Sequence, residues 1–376
     1  KFKKMRKLVF TTLILCLVFI SCKNKESMNN PFFSPFDTPY GVPDFNKIKD
    51  KHYLPAFEKG MSIQQEEIQS IINNKETPTF ENTIEALEYS GELLNTVAAV
   101  FFNMCETNNN EKMMAIADEI SPKLSQHSDD INLNPKLFER VKTVYDNRSS
   151  LSLTAEQARL LEETYKGFVR GGANVPTEKQ ARFREINEQL ASLTLKFGNN
   201  VLAATNAYKL IIDKESELSG LSESQIAAAA ELANQEKCSK GKWAFTTHNP
   251  SLLPFLQNAD NREKRKEIWE AYSNRCNGGE FDNTEIIKKV VALRAERAQI
   301  LGFKTHADYV LDNRMAKNSE TVYDLLQKMW EPALAKAKVE VAEYQELANK
   351  EDPKFQIEPW DWRYYTEKVR KAKYDL

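Results

Sequence analysis

The sequence predicts a mainly α-helical protein: an elongated multi-helix body with a small α/β element near residues 206–248. Three observations predict it. Only 12 Gly stand against 54 Asp+Glu and 52 Lys+Arg in 376 residues, a balance that favours helices over sheets. From Lys51 onward, apolar residues recur at helical spacing with few interruptions. Thr and Asn stand where helices should start, twice as Thr-x-x-Gln capping boxes at Thr154 and Thr177. A chain this long can form two or three domains, or one extended helical body with a real core. Hydrophobic content of 41% and charged content of 28% are ordinary for a soluble globular protein. The net charge of −2, with the signs interspersed, argues against a nucleic-acid binder, which carries a basic face.

Residues 1–22 read as an address. Lys1, Lys3, Lys4, Arg6 and Lys7 form a positive start, and residues 8–20 are apolar. That run, about 13 residues, is shorter than the roughly 20 a membrane-spanning helix needs. Phe19-Ile20-Ser21-Cys22 then resembles a lipoprotein processing site, with Cys22 the lipidation candidate and Phe19 in place of the usual Leu. An ordinary signal peptide with an incidental Cys is the other reading. Both predict export. Cys105, Cys238 and Cys276 are scattered and odd in number, so free buried thiols are expected, with one bridge left open.

Residues 23–45 read as a tether and extended lead-in, because Pro31, Pro35, Pro39 and Pro43 forbid a long helix. Phe32, Phe33, Phe36, Tyr40 and Phe45 are expected to pack on the body behind them, ordering the segment from about Phe32. The helical region then runs over residues 46–376. Leu54, Phe57, Met61, Ile68, Ile71 and Ile72 mark the first helix. Thr79 caps the next, a third covers about residues 111–127, and Asn134-Pro135 opens a fourth. Phe183, Ile186, Leu190, Leu193 and Phe197 form a narrow seam on a long helix. Residues 208–212 and 242–248 read as strands flanking a helix over about 222–235. Helices follow over about 261–275, 284–301, 305–311 and 321–349.

No self-contained active site is visible. His52, His127, His248 and His306 are far apart, and none sits in H-E-x-x-H, which puts two imidazoles on one helical face for zinc. Thr305-His306-Ala307-Asp308 fits a helix cap better than a ligand set. Arg170-Gly171-Gly172-Ala173 and Asn277-Gly278-Gly279-Glu280 lack phosphate-loop spacing and read as turns. Trp360-Asp361-Trp362-Arg363-Tyr364-Tyr365 is dense in aromatics; core packing explains it better than nucleic-acid stacking. A charged helical pattern runs from there to Leu376 with no Gly, Pro or polar tail. The chain is therefore expected to be the front part of a larger protein, its last helix exposing an apolar face that lacks its partner.

Several stretches carry a resemblance. They are Pro39-Tyr40-Gly41-Val42-Pro43, His52-Tyr53-Leu54-Pro55-Ala56-Phe57, Pro78-Thr79-Phe80-Glu81-Asn82-Thr83, and residues 94–103 (LNTVAAVFFN). Asn277-Gly278-Gly279-Glu280-Phe281, Leu301-Gly302-Phe303-Lys304-Thr305-His306, Arg314-Met315-Ala316-Lys317 and Trp360–Tyr365 continue the set. Together they resemble the thimet-oligopeptidase-like zinc metallopeptidases, and within them the dipeptidyl carboxypeptidase branch. The resemblance implies the N-terminal lobe of a two-lobed helical peptidase whose channel admits short peptides. It implies one zinc ion in the intact protein, bound by an H-E-x-x-H motif and a later Glu downstream of Leu376. No position of this chain matches those residues, so no catalytic or metal residue is assigned here, and the chain alone is expected to be inactive. The expected whole is a monomer, meeting the membrane only through a lipid anchor. An oligopeptidase A-type endopeptidase and a non-catalytic peptide-binding lipoprotein are the rival readings.

Overall fold

Helix starts in this protein are set by local side-chain chemistry. In a computed structural model that describes residues 29–236 and 241–374, the helices opening after Asn110, Asn134, Thr154, Ser222, Asn261, Thr305 and Asn318 each start at a side-chain oxygen that accepts from the first free amides. Cys22, the address segment, residues 23–28 and Cys238 lie outside the described residues. The chain divides into two compact units.

The first unit ends at Leu195 and also holds Ile300–Gly302. It contains α1 (Tyr53–Asn73), α2 (Glu92–Thr107), α3 (Glu111–Asn132), α4 (Pro135–Asp146), α5 (Ala155–Arg170) and the first part of α6 (Thr177–Ala207). Thr154 and Gln157 form the expected reciprocal cap of α5, at 3.0 and 3.2 Å. At α6, Gln180 reaches further back than a capping box, donating to the Val175 carbonyl at 3.1 Å. Asn134 caps α4 with Pro135 in its first turn. The third helix runs five residues beyond the expected end at 127: His127 bonds Gln64 on α1 at 2.8 Å, and Ile131 packs in the core.

Two large apolar cores and a smaller one around Leu133, Val175 and Phe183 lie in this unit. One gathers Phe32, Tyr53, Phe57, Val97, Phe101 and Ile120. There α1 and α2 pass so closely that a Cβ on Gly60 would lie 2.9 Å from the Leu94 Cα. The other gathers Ile68, Phe80, Ile84, Leu137, Val141 and Phe168. Beside it the buried Arg140 donates to the Asn74 and Glu76 carbonyls and to Asn82 and Thr83, fastening the turn before Phe80–Glu85 to α4. The lead-in behaves as expected only in part. Phe32, Phe33 and Phe36 pack on the first core, whereas Phe45 is exposed and Tyr40 is 103% exposed. Tyr40 sits at φ 61° in the Pro39–Gly41 turn, outside the core. The α6 seam is buried at Phe183, Ile186 and Leu190 but opens at Phe197.

The second unit comprises Lys196–Gln299 and Phe303–Leu376. Its small α/β element pairs β1 (Lys209–Ile212) antiparallel with β2 (Trp243–Thr246), from Lys209↔Thr246 to Ile212↔Trp243. Both strands are shorter than expected. Leu210, Ile212 and Phe245 pack with residues of α7 (Glu223–Gln235), α8 (Asn249–Asn258) and α9 (Arg262–Ser273). Gly220, at φ +86°, lets the chain pass the end of α8; a Cβ there would stand 2.0 Å from the Asn258 carbonyl oxygen. The unit continues with α10 (Thr284–Ile300), α11 (His306–Leu311), α12 (Ser319–Glu351) and α13 (Trp362–Tyr374). Among the described residues no helix is long and apolar enough to cross a membrane.

Candidate functional site

The glycine loops are turns. Gly172, at φ +105°, closes α5, with the Ala173 amide bonded to the Phe168 carbonyl at 2.9 Å. In the second loop Gly278 and Gly279 take φ of 96° and 76°. Asp282 accepts from the Gly278 and Thr284 amides at 3.0 Å each, and these bonds hold its carboxyl below the usual range. The buried Asn283 ties the loop to the end of α6 through the Phe197 carbonyl and Asn200. Asp282 and Asn283 thus spend their side chains on the loop and its neighbouring helices.

The histidines do not converge. The His52 Nδ1 accepts from the Lys49 amide at 3.0 Å. His248 meets Thr246 at 3.1 Å and Asn206 at 3.0 Å. His306 lies in the first turn behind the Thr305–Asp308 cap, beside Tyr309. Among the described residues no three His, Cys, Asp or Glu side chains gather where they could hold a metal ion. The described residues do not fit a zinc ion. Cys105 and Cys276 are free thiols; burial pushes Cys105 up to about 11, which keeps it protonated and unreactive.

These environments give a sign for pH dependence. Burial lowers the pKa of His52, His127 and His306 from the ordinary 6.5, with lysines or arginines adding to the effect at His52 and His306, while Asp130 opposes it at His127. The unfolded chain therefore binds more protons than the folded one as pH drops below 6.5, and stability falls with it. We expect the urea midpoint to decrease between pH 7.5 and 5.5. His127→Gln, which can keep a bond to Gln64, should flatten that slope; an unchanged slope would show that His127 does not contribute.

The arrangement best suited to holding something is the Trp360 segment. Asp361 is 0% exposed and receives Arg262 through Nε and Nη2, the latter at 2.7 Å, and the Arg265 Nη2 at 2.8 Å. Arg265, itself 2% exposed, also donates to the Ala259 and Asp260 carbonyls and lies 4.0 Å from the Tyr364 ring centroid. Tyr364 donates to Asp260 at 2.7 Å, and Ser219 donates to the other oxygen at 2.6 Å. Burial opposes ionisation of Asp260, but those bonds and the nearby Lys368 and Arg265 outweigh it and hold the carboxyl low. Two arginines in the opening turns of α9 sit unfavourably toward the helix dipole, so a carboxylate facing both stabilises them. Asp361 is that acid. The signal was in the sequence as Arg262-x-x-Arg265, but pairing it with a residue about a hundred positions away needed the fold.

Around this clamp Trp269 and Trp360 meet edge to face at 5.8 Å, and Tyr344 and Trp362 at 5.9 Å. Trp269, Trp360 and Trp362 border an open recess of about 640 Å³, whose lining also includes Leu256, Val341, Glu358 and Arg363. The recess has apolar walls and one charge of each sign, but no nucleophile paired with a base. The last helix meets the expectation only in part: Tyr364 and Tyr365 are buried and Val369 packs beside them, whereas Trp362 and Tyr374 are exposed. The uncovered apolar residues of this unit concentrate on α12.

Comparison with known proteins gives the lineage. Residues 255–376, which include the clamp and the recess, match the model of Peptidase family M3. The chain is 36% identical over 348 residues to the dipeptidyl carboxypeptidase of Escherichia coli (strain K12), covering 92% of this chain and 51% of that protein. It is 29% identical over 354 residues to the oligopeptidase A of the same strain, covering 93% and 51%. Against the thimet-like oligopeptidase of Dictyostelium discoideum the figures are 26% over 295 residues, 77% and 41%. The chain thus spans about half the length of the curated relatives it matches.

Proposed function

We propose, on the premise that this chain belongs to Peptidase family M3, that it is the N-terminal portion of an exported zinc metallopeptidase acting on short peptides and releasing C-terminal dipeptides. The observation that carries this is the 36% identity, along 92% of the chain, to a protein named dipeptidyl carboxypeptidase. In this reading the chain supplies a helical lobe, and the zinc ligands and the base that acts on the zinc-bound water lie in polypeptide beyond Leu376. The mature protein is exported, anchored through Cys22, and works as a monomer. The similarity to oligopeptidase A keeps an endopeptidase as the second reading.

The test uses the gene product read past Leu376. It should contain H-E-x-x-H and cleave a peptide with a free C-terminal carboxylate, while amidation of that carboxylate suppresses cleavage. Equal cleavage of both peptides would favour the endopeptidase. Absence of hydrolysis, or of the motif, would overturn the enzyme reading. The 376-residue chain alone should show no hydrolysis and no stoichiometric zinc. Tight one-to-one zinc binding by that chain would reveal a site in it.

A further inference from the structure

Residues 323–336 of α12 are exposed all round the helix. Leu325, Leu326, Met329, Trp330 and Leu334 recur there at three- and four-residue spacing, with Met329 59% and Trp330 64% exposed. With Tyr323, and at about 100° per residue, these side chains sweep roughly 180° of the helix circumference, well beyond the stripe of about 100° that one packed face needs. Asp324, Gln327, Lys328 and Glu331 occupy the remainder. The C-terminal end of the same helix is secured, with Tyr344 and Ala348 buried against Tyr364 and Tyr365. Pro332 lies in the uncovered half and removes one backbone hydrogen bond from it. A stretch with this composition does not persist alone in water, and a continuous exposed apolar surface marks an interaction face.

Resting on the reading of the chain as the N-terminal part of a family M3 peptidase, we propose that the α12 face 323–334 is the seat of the protein's second half. The occupant is polypeptide of the same protein, corresponding to the roughly half of each relative that this chain does not span. Three observations favour it. The stripe lies inside the family-matched stretch 255–376. The helix that carries it packs at its other end against α13, the last described helix, which leads into any following polypeptide. An arc of roughly 180° needs several covering elements, as a folded lobe supplies, whereas a second copy pairing stripe on stripe covers one side of each helix.

Hydroxyl-radical footprinting decides, comparing the 376-residue chain with the gene product extended past Leu376. Tyr89, exposed, and Met113, buried, are the open and closed references. Met329 and Trp330 should oxidise at the open rate in the 376-residue chain and at least tenfold more slowly in the extended protein. Equal rates in the two proteins would overturn the proposal. So would protection in the 376-residue chain accompanied by a dimer mass, which would assign the face to a second copy. An extended protein that protects Met329 but cleaves no peptide would leave the docking intact and count against the peptidase reading alone.

Discussion

Asp361→Ala is expected to destabilise the second unit by about 3–5 kcal/mol, the usual consequence of removing one partner from a buried ion pair. The substitution leaves Arg265 at 2% exposure with no carboxylate facing its Nη2. Arg262 suffers less, because at 36% exposure its guanidinium can turn to water. The turn before α13 loosens as well, since the Glu358 amide donates to the same carboxylate at 3.2 Å. An order of effects follows. Asp361→Asn keeps the shape and loses the charge, so it should cost less than alanine. Arg262→Gln should cost least, about 1 kcal/mol, as for a partly exposed pair. Urea unfolding followed by near-ultraviolet circular dichroism, which senses the Trp269–Trp360 contact, measures all three. A cost below about 1 kcal/mol for Asp361→Ala would show that the clamp is not what fixes the segment.

Phe101→Ala is expected to cost the first unit about 3–5 kcal/mol, the range for emptying a large aromatic site in a core. Phe101 is 0% exposed, and its ring meets those of Tyr53, Phe57 and Phe102 at 5.0, 5.3 and 5.2 Å. Each edge-to-face contact adds about 0.5–1.5 kcal/mol beyond area burial, so alanine loses packing and geometry together. Refilling is limited: α1 and α2 are already in backbone contact at Gly60 and cannot close further there. Phe101→Leu restores most of the volume and should cost about half as much. Calorimetry on the two variants checks this. Equal costs would mean that ring geometry, not volume, dominates the site.

Helix positions were legible because their causes are local. Thr154 with Gln157, Asn134 with Pro135, and Thr305 with Asp308 lie within four residues of the amides they serve, so reading the sequence reads the cap. The buried half of the α6 seam and the two strands around α7 were legible for the same reason: period and composition are properties of a short window. Three features were not. Tyr40 and Phe45 look like core residues by type, and only the placement of the Pro39–Gly41 turn shows them in water. His127 looked like a helix end until Gln64, from another helix, gave it a partner.

The Trp360 segment divides most clearly. The sequence by itself determined that this stretch is aromatic, helical after Asp361, and of the kind that resembles zinc peptidases of the dipeptidyl carboxypeptidase branch. Only the tertiary structure decided which apolar face is covered. Tyr364 and Tyr365 are buried because α12 and the Phe355–Ile357 stretch reach them. The equally apolar Leu326 and Trp330 are exposed because no described element reaches them. Hydropathy is a property of a side chain and burial is a property of its neighbours, and neighbours distant in sequence are assigned only by the folded chain.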